Sequence, residues 1–497
     1  MRNCDSRNWW RQTKRLTGQV SKPDLVGLAN DLTGGDMEEL ARLINESLIK
    51  VSSDLTKLSA SDNCLDKEAE LDDECEYIIT PNIVFHRLEH INIHKAPGPD
   101  SIPNWFLRDF AFALSEPLCC LFNSSLQEGY VPGVWRQANI VPIPKSKPPK
   151  SIELDLRPIS LTPTLSKILE SLIGRWMLEK IGNKFDKKQF GALKGRSTTH
   201  ALVDIVHKWH KAVDDQKSVR IVFVDYAKAF DHVDHLTVMT KLAAIGVQPI
   251  ILRWLHSFLT ERQQRVMTNG IFSDWASPNG GMPQGTWLGP YVFLTLINDL
   301  SSTMELHKFV DDCTLSEIIT RHETSAMQSE MDSLAKWSES NFMNINIKKT
   351  KEMLLGSIGK TQPLPVLLAC SPIDRIHSYK LLGLHVSDTL KWNDHVSSVC
   401  SKAASRLHFL KLLKRASMSP DDLIHYYQSV IRPVTEYGCA VFNSSLTKSQ
   451  SRQLESIQRR AIKIIFGNDA SEVAHALSTL PTLAERRDQL TRQFFLE

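Results

Sequence analysis

No stretch of the 497-residue chain approaches the ~20 uninterrupted apolar residues that a membrane helix needs, so no helical membrane span is expected. The first twenty residues, MRNCDSRNWWRQTKRLTGQV, carry Arg2, Arg7, Arg11, Lys14 and Arg15 but lack the apolar core of a secretory signal. An intracellular location, in nucleus and cytoplasm, is the expectation. The nine cysteines are an odd number without a C-x-x-C pair, and no His tract stands at zinc spacing, which excludes a disulfide scaffold and a zinc module and leaves reduced thiols. An excess of one charge is missing too: 59 Lys and Arg stand against 56 Asp and Glu, a net +3, so any grip on nucleic acid must come from local basic faces. No internal repeat is found.

What remains is ordinary globular composition, 42% apolar and 23% charged, in a chain long enough for two to four domains. Residues 54–76 hold nine acids against Lys57 and Lys67 and read as a solvated linker behind a short basic N-terminal segment. KAPGPDSIP (95–103) and PIPKSKPP (142–149) are loops, because proline fixes φ and removes a donor. Thr162 as N-cap, Pro163 at the first helical position and apolar residues from Leu165 to Trp176 predict an amphipathic helix that stops at Gly182. Ile221 to Val224 predicts a strand buried on both faces with Asp225 at its end. Arg265–Ser273 predicts a hairpin around Asn269-Gly270, and Leu306–Leu315 predicts a second one with Asp311-Asp312 at its turn. Beyond about residue 395 the pattern is helical, with Leu454, Ile457, Ala461 and Ile464 on one face before Gly467. The expected class is α+β with a helical C-terminal domain.

An Asp-Asp pair in a turn is common turn chemistry when taken alone. Here, burial of the arms of the 306–315 hairpin beside the Asp225 strand would bring Asp225, Asp311 and Asp312 together, since neighbouring strands lie about 4.8 Å apart. Carboxylates packed so closely must either rise in pKa or share divalent cations, and oxygen-only ligands favour Mg²⁺. Two such ions suit in-line phosphoryl displacement, hence nucleotidyl transfer.

FVDYAKAFDHVDH (223–235), GMPQGTWLGP (281–290) and FVDD (309–312), in that order, resemble the palm motifs A, B and C of reverse transcriptases, most closely those of non-LTR, LINE or jockey-like retrotransposons. KAPGPDSIP (95–103), LRPISLTPTLSKILESLI (156–173), QFGALKGRSTTHAL (189–202), NINIKKTKEM (344–353) and YKLLGLHV (379–386) extend the resemblance through fingers and palm, over roughly residues 90–390. The resemblance implies a right-hand polymerase. Residues 1–90 are then the basic segment and acidic linker, 91–386 fingers and palm, and 387–497 a helical thumb.

It also implies roles. Asp225 and Asp311 become ligands of two Mg²⁺ ions, with Mn²⁺ as an alternative, and Asp312 joins their catalytic cluster. Phe230 matches a steric gate against a 2′-hydroxyl. Gln284 and Gly285 lie at the nascent base pair, where glycine permits close backbone approach and an amide can donate and accept. Arg157 and Lys145 match contacts to the triphosphate, and Lys349 the lysine that protonates pyrophosphate, although Lys351 can be aligned there instead. Tyr379 and Gly383 match a primer grip. Residues 400–466 hold eleven Lys and Arg against four acids, and Lys402, Arg406, Arg459, Arg460 and Lys463 are candidate contacts to a nucleic-acid backbone. The implied partners are an RNA template, a DNA primer and dNTPs.

Three positions depart from the pattern. Phe-Val stands before Asp311 where Tyr-Ala is frequent, Gly289 where serine is common, and Ala192 where an aromatic is common; none removes a metal ligand. WWRQTKRLTG (9–18) resembles the segment between endonuclease and polymerase, and fewer than 90 residues precede the polymerase region, so a truncated copy without an endonuclease is the expectation. The rival expectations are an inactive fold kept as an RNA-binding scaffold and an RNA-dependent RNA polymerase.

Overall fold

The computed structural model describes residues 6–18, 25–59, 77–321, 323–358, 363–467 and 480–496. Most of the acidic stretch expected as a linker, residues 60–76, lies outside them. Its first residues, 54–59, are irregular, with Leu55 and Leu58 buried. The described cysteines, Cys119, Cys120, Cys313, Cys370, Cys400 and Cys439, are free thiols. Among the described residues no helix is long and apolar enough to cross a membrane.

Two sheets carry the site. The first joins β1 (Gln137–Pro144), β2 (Leu156–Leu161), β4 (Gln263–Thr268) and β5 (Ile271–Phe272) in the order β2-β1-β4-β5, with β1 antiparallel to β2 and parallel to β4. β4 and β5 are the expected hairpin, and its two turn residues, Asn269 and Gly270, take φ of +50° and +88°. Positive φ at both positions matches the right-handed twist of the flanking strands, which explains the Asn-Gly choice. The helix Met37–Lys50 lays Leu40, Ala41 and Ile44 onto this sheet against Ala138, Ile140 and Val266, so the 25–59 segment is a layer packed on the first sheet.

The second sheet runs from a short strand at Asp374–Arg375 through β8 (Lys351–Leu355), β3 (Ser218–Val224) and β7 (Asp312–Ile319) to β6 (Glu305–Phe309). Every residue of β3 is buried. Val219, Ile221 and Phe223 pack with Leu202, Ile205 and Trp209 of the helix Thr198–Asp214, while Val222 and Val224 join the larger core with Val292 and Phe293 of the helix Gly289–Ile297. Side chains alternate across a strand, so burial on both faces demands the continuous apolar run seen in the sequence. On the same side as Val222, the carboxylate of Glu352 lies between Arg220 at 2.6 Å and Arg375 at 2.7 Å, and Glu352 is wholly buried.

The 162–182 expectation holds with a shift of one residue: the helix is Thr164–Ile181, capped by Pro163 and Gly182. Helices Asn393–Arg415 and Lys448–Phe466 pack through Ala403, Leu407 and Leu410 against Ile457, Ala461 and Ile465. The N-terminal helix Ser6–Leu16 docks on the same cluster, with Trp9 buried and its Nε1–H donating to Asp422 at 2.9 Å.

Candidate active site

β3 and β7 are antiparallel with Val224 opposite Cys313, so the next step of the register sets Asp225 beside Asp312. Asp311 occupies the tight turn between β6 and β7, where Phe309 pairs with Asp312 and Val310 takes φ of +59°. That turn is gripped from outside. The Gln189 side-chain oxygen accepts from the backbone N–H of Val310 at 2.9 Å and of Gly191 at 2.9 Å, and a Cβ on Gly191 would lie 2.5 Å from Val310. Close approach therefore requires glycine there. Asp225 is fixed from its other side, its N–H donating to Thr350 Oγ1 at 3.3 Å and its carbonyl accepting from Asn346 at 2.7 Å.

The carboxylates feel one another. Burial, and then the Asp225 charge, push the Asp311 carboxyl up against the pull of Arg157 and Lys349. Burial, then Asp311 and Asp225, push Asp312 up to about 6. Asp225 Oδ2 is buried without a hydrogen-bond partner, and Lys349 Nζ stands 3.6 Å from it. An orphaned carboxylate oxygen beside two acids that resist ionising is the donor set a hard cation suits. Among the described residues, however, no three His, Cys, Asp or Glu side chains form a ready metal cluster. The three acids adjoin, but the closed three-carboxylate pocket that the sequence suggests is not preformed; substrate oxygens would be needed to complete it.

This arrangement predicts a pH signature. With the Asp312 carboxyl pushed from an ordinary 3.8 up to about 6, the folded state binds more protons than the unfolded chain across that window and loses stability as pH rises through it. In metal-free buffer, the wild-type Tm should fall relative to Asp312→Asn between about pH 4 and 6, by on the order of 2 °C, and Mg²⁺ should reverse the difference at pH 7 but not at pH 4. Parallel melting curves in EDTA would sink the assignment.

Around the acids stand the remaining expected residues. Lys145 directly follows β1, and Arg157 lies on β2 opposite Ile143. Burial, then the charges of Lys349 and Arg157, hold the Lys145 ammonium below its ordinary pKa, so these three cations share one field. Lys351 instead pairs with Asp374 at 2.5 Å, which leaves Lys349 as the lysine beside the carboxylates. Phe230 stacks on Phe293 at 4.7 Å. Gly285 takes φ of +133°, and a Cβ there would meet the Ser160 carbonyl at 2.6 Å. Gln284 lines a small cleft between the first sheet and the 278–284 loop. Its amide donates to Asp231 Oδ1 at 3.1 Å. Tyr379 stacks on Phe223 at 3.9 Å, and its hydroxyl is pushed up to about 12 by burial and then by Asp312 and Asp225. Gly383 turns the hairpin Ser378–Ser387 at φ of +94°, against Tyr437, whose hydroxyl donates to the Leu382 carbonyl at 2.7 Å.

The expected backbone contacts are not part of this cluster. Lys402, Arg459, Arg460 and Lys463 are exposed on the two packed C-terminal helices. Arg406 is half-buried and its Nη1 donates to the Val430 carbonyl in the π-helical turn Tyr427–Ile431, so it serves the fold of that domain. Sequence reasoning missed Gln189 and Asp231 as individual residues. Both stand inside quoted motifs, QFG and AFD, and that position was the available signal.

A five-stranded sheet that sets Asp225 beside the Asp311-Asp312 pair, with a four-stranded sheet before it and packed helices after it in the chain, is the architecture of a right-hand polymerase. Residues 143–386 match the family described as "Reverse transcriptase (RNA-dependent DNA polymerase)". Over 78% of its length the chain is 26% identical to "RNA-directed DNA polymerase from mobile element jockey" of Drosophila melanogaster, covering 44% of that protein. It is 25% identical over 75% of its length to "Probable RNA-directed DNA polymerase from transposon X-element" of the same fly, covering 42% of it. To "Retrovirus-related Pol polyprotein from type-1 retrotransposable element R1" of Bradysia coprophila it is 23% identical over 82% of its length, covering 41% of that protein. Residues 143–386 thus carry a reverse transcriptase domain, similar to those of non-LTR, jockey-like retrotransposons, and the chain spans less than half the length of these relatives. Polymerases of this family are in general metal-dependent.

Proposed function

We propose that this chain copies RNA into DNA, adding dNTPs to the 3′-hydroxyl of a DNA primer. The observation that carries the reading is the β3–β7 register, which sets Asp225 next to the Asp311-Asp312 turn while the cations Lys145, Arg157 and Lys349 look onto the same place. When bound at Asp225 and Asp311, two Mg²⁺ ions, or Mn²⁺, would supply the Lewis acidity that stabilises the attacking and leaving oxygens. The chain's own residues do the rest. Arg157 and Lys145 draw in the triphosphate, whose charge relieves the repulsion among the three cations. Lys349 stands where a proton can pass to the leaving pyrophosphate. Tyr379 and Gly383 direct the primer end, and Phe230 closes the space a 2′-hydroxyl would need. Lys402, Arg459 and Arg460 give the helical thumb exposed charge for a backbone held by shape and phosphate.

Extension of an oligo(dT) primer on a poly(rA) template tests the reading directly. Incorporation of dTTP by the pure, folded chain is expected, and a folded chain that binds the duplex without extending it would instead mark an RNA-binding scaffold. Phe230→Ala should raise rNTP incorporation relative to dNTP by about tenfold or more, since a steric clash of a few kcal/mol is removed. Unchanged sugar preference would remove the gate assignment.

A further inference from the structure

The loop that carries Gln284 is fixed by its backbone. Gly281 N–H donates to the Val233 carbonyl at 2.8 Å, Met282 N–H to the Phe230 carbonyl at 2.7 Å, and the Gln284 carbonyl accepts from Ser160 N–H at 2.8 Å. His235 Nε2 adds a bond of 2.9 Å to the Gly281 carbonyl. The side-chain bond from Gln284 Nε2 to Asp231 Oδ1 is therefore surplus to holding the loop. Asp231 is nonetheless half-buried, and that burial raises its carboxyl pKa against Gln284, Lys228, His232 and Lys145. Desolvating a carboxylate is costly, and the loop gains nothing that its backbone bonds do not already provide.

An ionised carboxylate only accepts, whereas an amide has one donating and one accepting end. Opposite Asp231, the Gln284 amide can take one orientation: nitrogen towards the carboxylate and Oε1 away from it. Both residues line the same cleft, and Asp231 directly follows Phe230. We propose that Asp231 is a positioning residue that fixes the Gln284 amide so that its oxygen, an acceptor, is presented to a hydrogen-bond donor of the incoming nucleotide. The inference rests on the polymerase reading above and names what sets the polarity of one of its contacts.

Asp231→Asn keeps size and shape but offers both a donor and an acceptor, so the Gln284 amide can turn over. The primer-extension KM for dNTP should then rise about five- to tenfold, the worth of one hydrogen bond, with kcat within about twofold and template–primer affinity unchanged. A double-mutant cycle separates positioning from mere structure. In a Gln284→Ala background, Asp231→Asn should add nothing further to KM; additive losses, or an unchanged KM in the single variant, overturn the proposal. Asp231→Ser supplies the same cycle if the asparagine variant does not fold. A wild-type chain that neither extends the primer nor stabilises a primer–template complex with dNTP overturns the polymerase reading and this inference together. Wild-type extension with additive mutants overturns this inference alone.

Discussion

Asp311→Ala is expected to lower primer extension by at least about a thousandfold while leaving template–primer affinity within about twofold, and Asp225→Ala should behave alike. The reasoning is electrostatic. Asp311 sits in a turn gripped by Gln189, and burial beside Asp225 already raises the free energy of its ionised form. Removing either acid leaves too little negative charge to hold cations against the pull of Arg157 and Lys349, while the exposed basic side chains of the C-terminal helices are untouched. Fluorescence anisotropy on a labelled duplex, run beside the extension assay, reads the two effects separately. Loss of binding in step with activity would mean that the carboxylates hold the fold, and residual extension within tenfold of wild type would mean that the chemistry lies elsewhere.

The second large effect concerns stability. Glu352→Gln should destabilise the chain by about 3–5 kcal/mol, because removing one partner leaves buried charge unpaired. Arg220 Nε donates to Glu352 Oε1 at 2.7 Å, and Arg375 Nε to Oε2 at 2.8 Å, so in the amide one guanidinium faces an NH2 in place of an acceptor and both lose the neutralising charge. β8 pairs with β3 through Val222 opposite Glu352, one step before Phe223, so loosening it frees the strand end that carries Asp225. Urea unfolding followed by tryptophan fluorescence should show the midpoint falling. A triple variant with Arg220→Met, Glu352→Leu and Arg375→Met should recover much of the loss, since apolar packing can replace a buried ionic group. A loss of unfolding free energy under about 1 kcal/mol in the single variant would show that water reaches the triad.

The palm was legible in the sequence for a physical reason. A strand covered on both faces must be apolar throughout, and a carboxylate that ends such a run marks itself. Asn269-Gly270 was legible because two-residue turns admit few side chains, whereas the second turn proves to hold Val310 and Asp311, one residue earlier than expected, with Asp312 opening β7. The layer formed by residues 25–59 was not. Leu40 and Ile44 announce an amphipathic helix, but their partners Ala138 and Val266 lie some hundred and two hundred residues away, and periodicity names no partner. Arg406 shows the same limit for charge: a run of basic residues says nothing of which guanidinium a π-helical carbonyl has claimed. AFDHVDH carries two further acids with different duties. Asp234 caps the helix His235–Ile245 through Thr237 N–H at 2.8 Å, whereas Asp231 meets Gln284, a pairing only the loop's path reveals.

The bond between Trp9 and Asp422 spans 413 residues of chain. At the ribosome, the helix that bears this tryptophan emerges about 20 to 80 seconds before its dock does, at ~5–20 residues per second. Throughout that interval the Trp9 ring has only its neighbour Trp10 to pack on, and it gains the His425 ring and the Asp422 acceptor when the last quarter of the chain has been made.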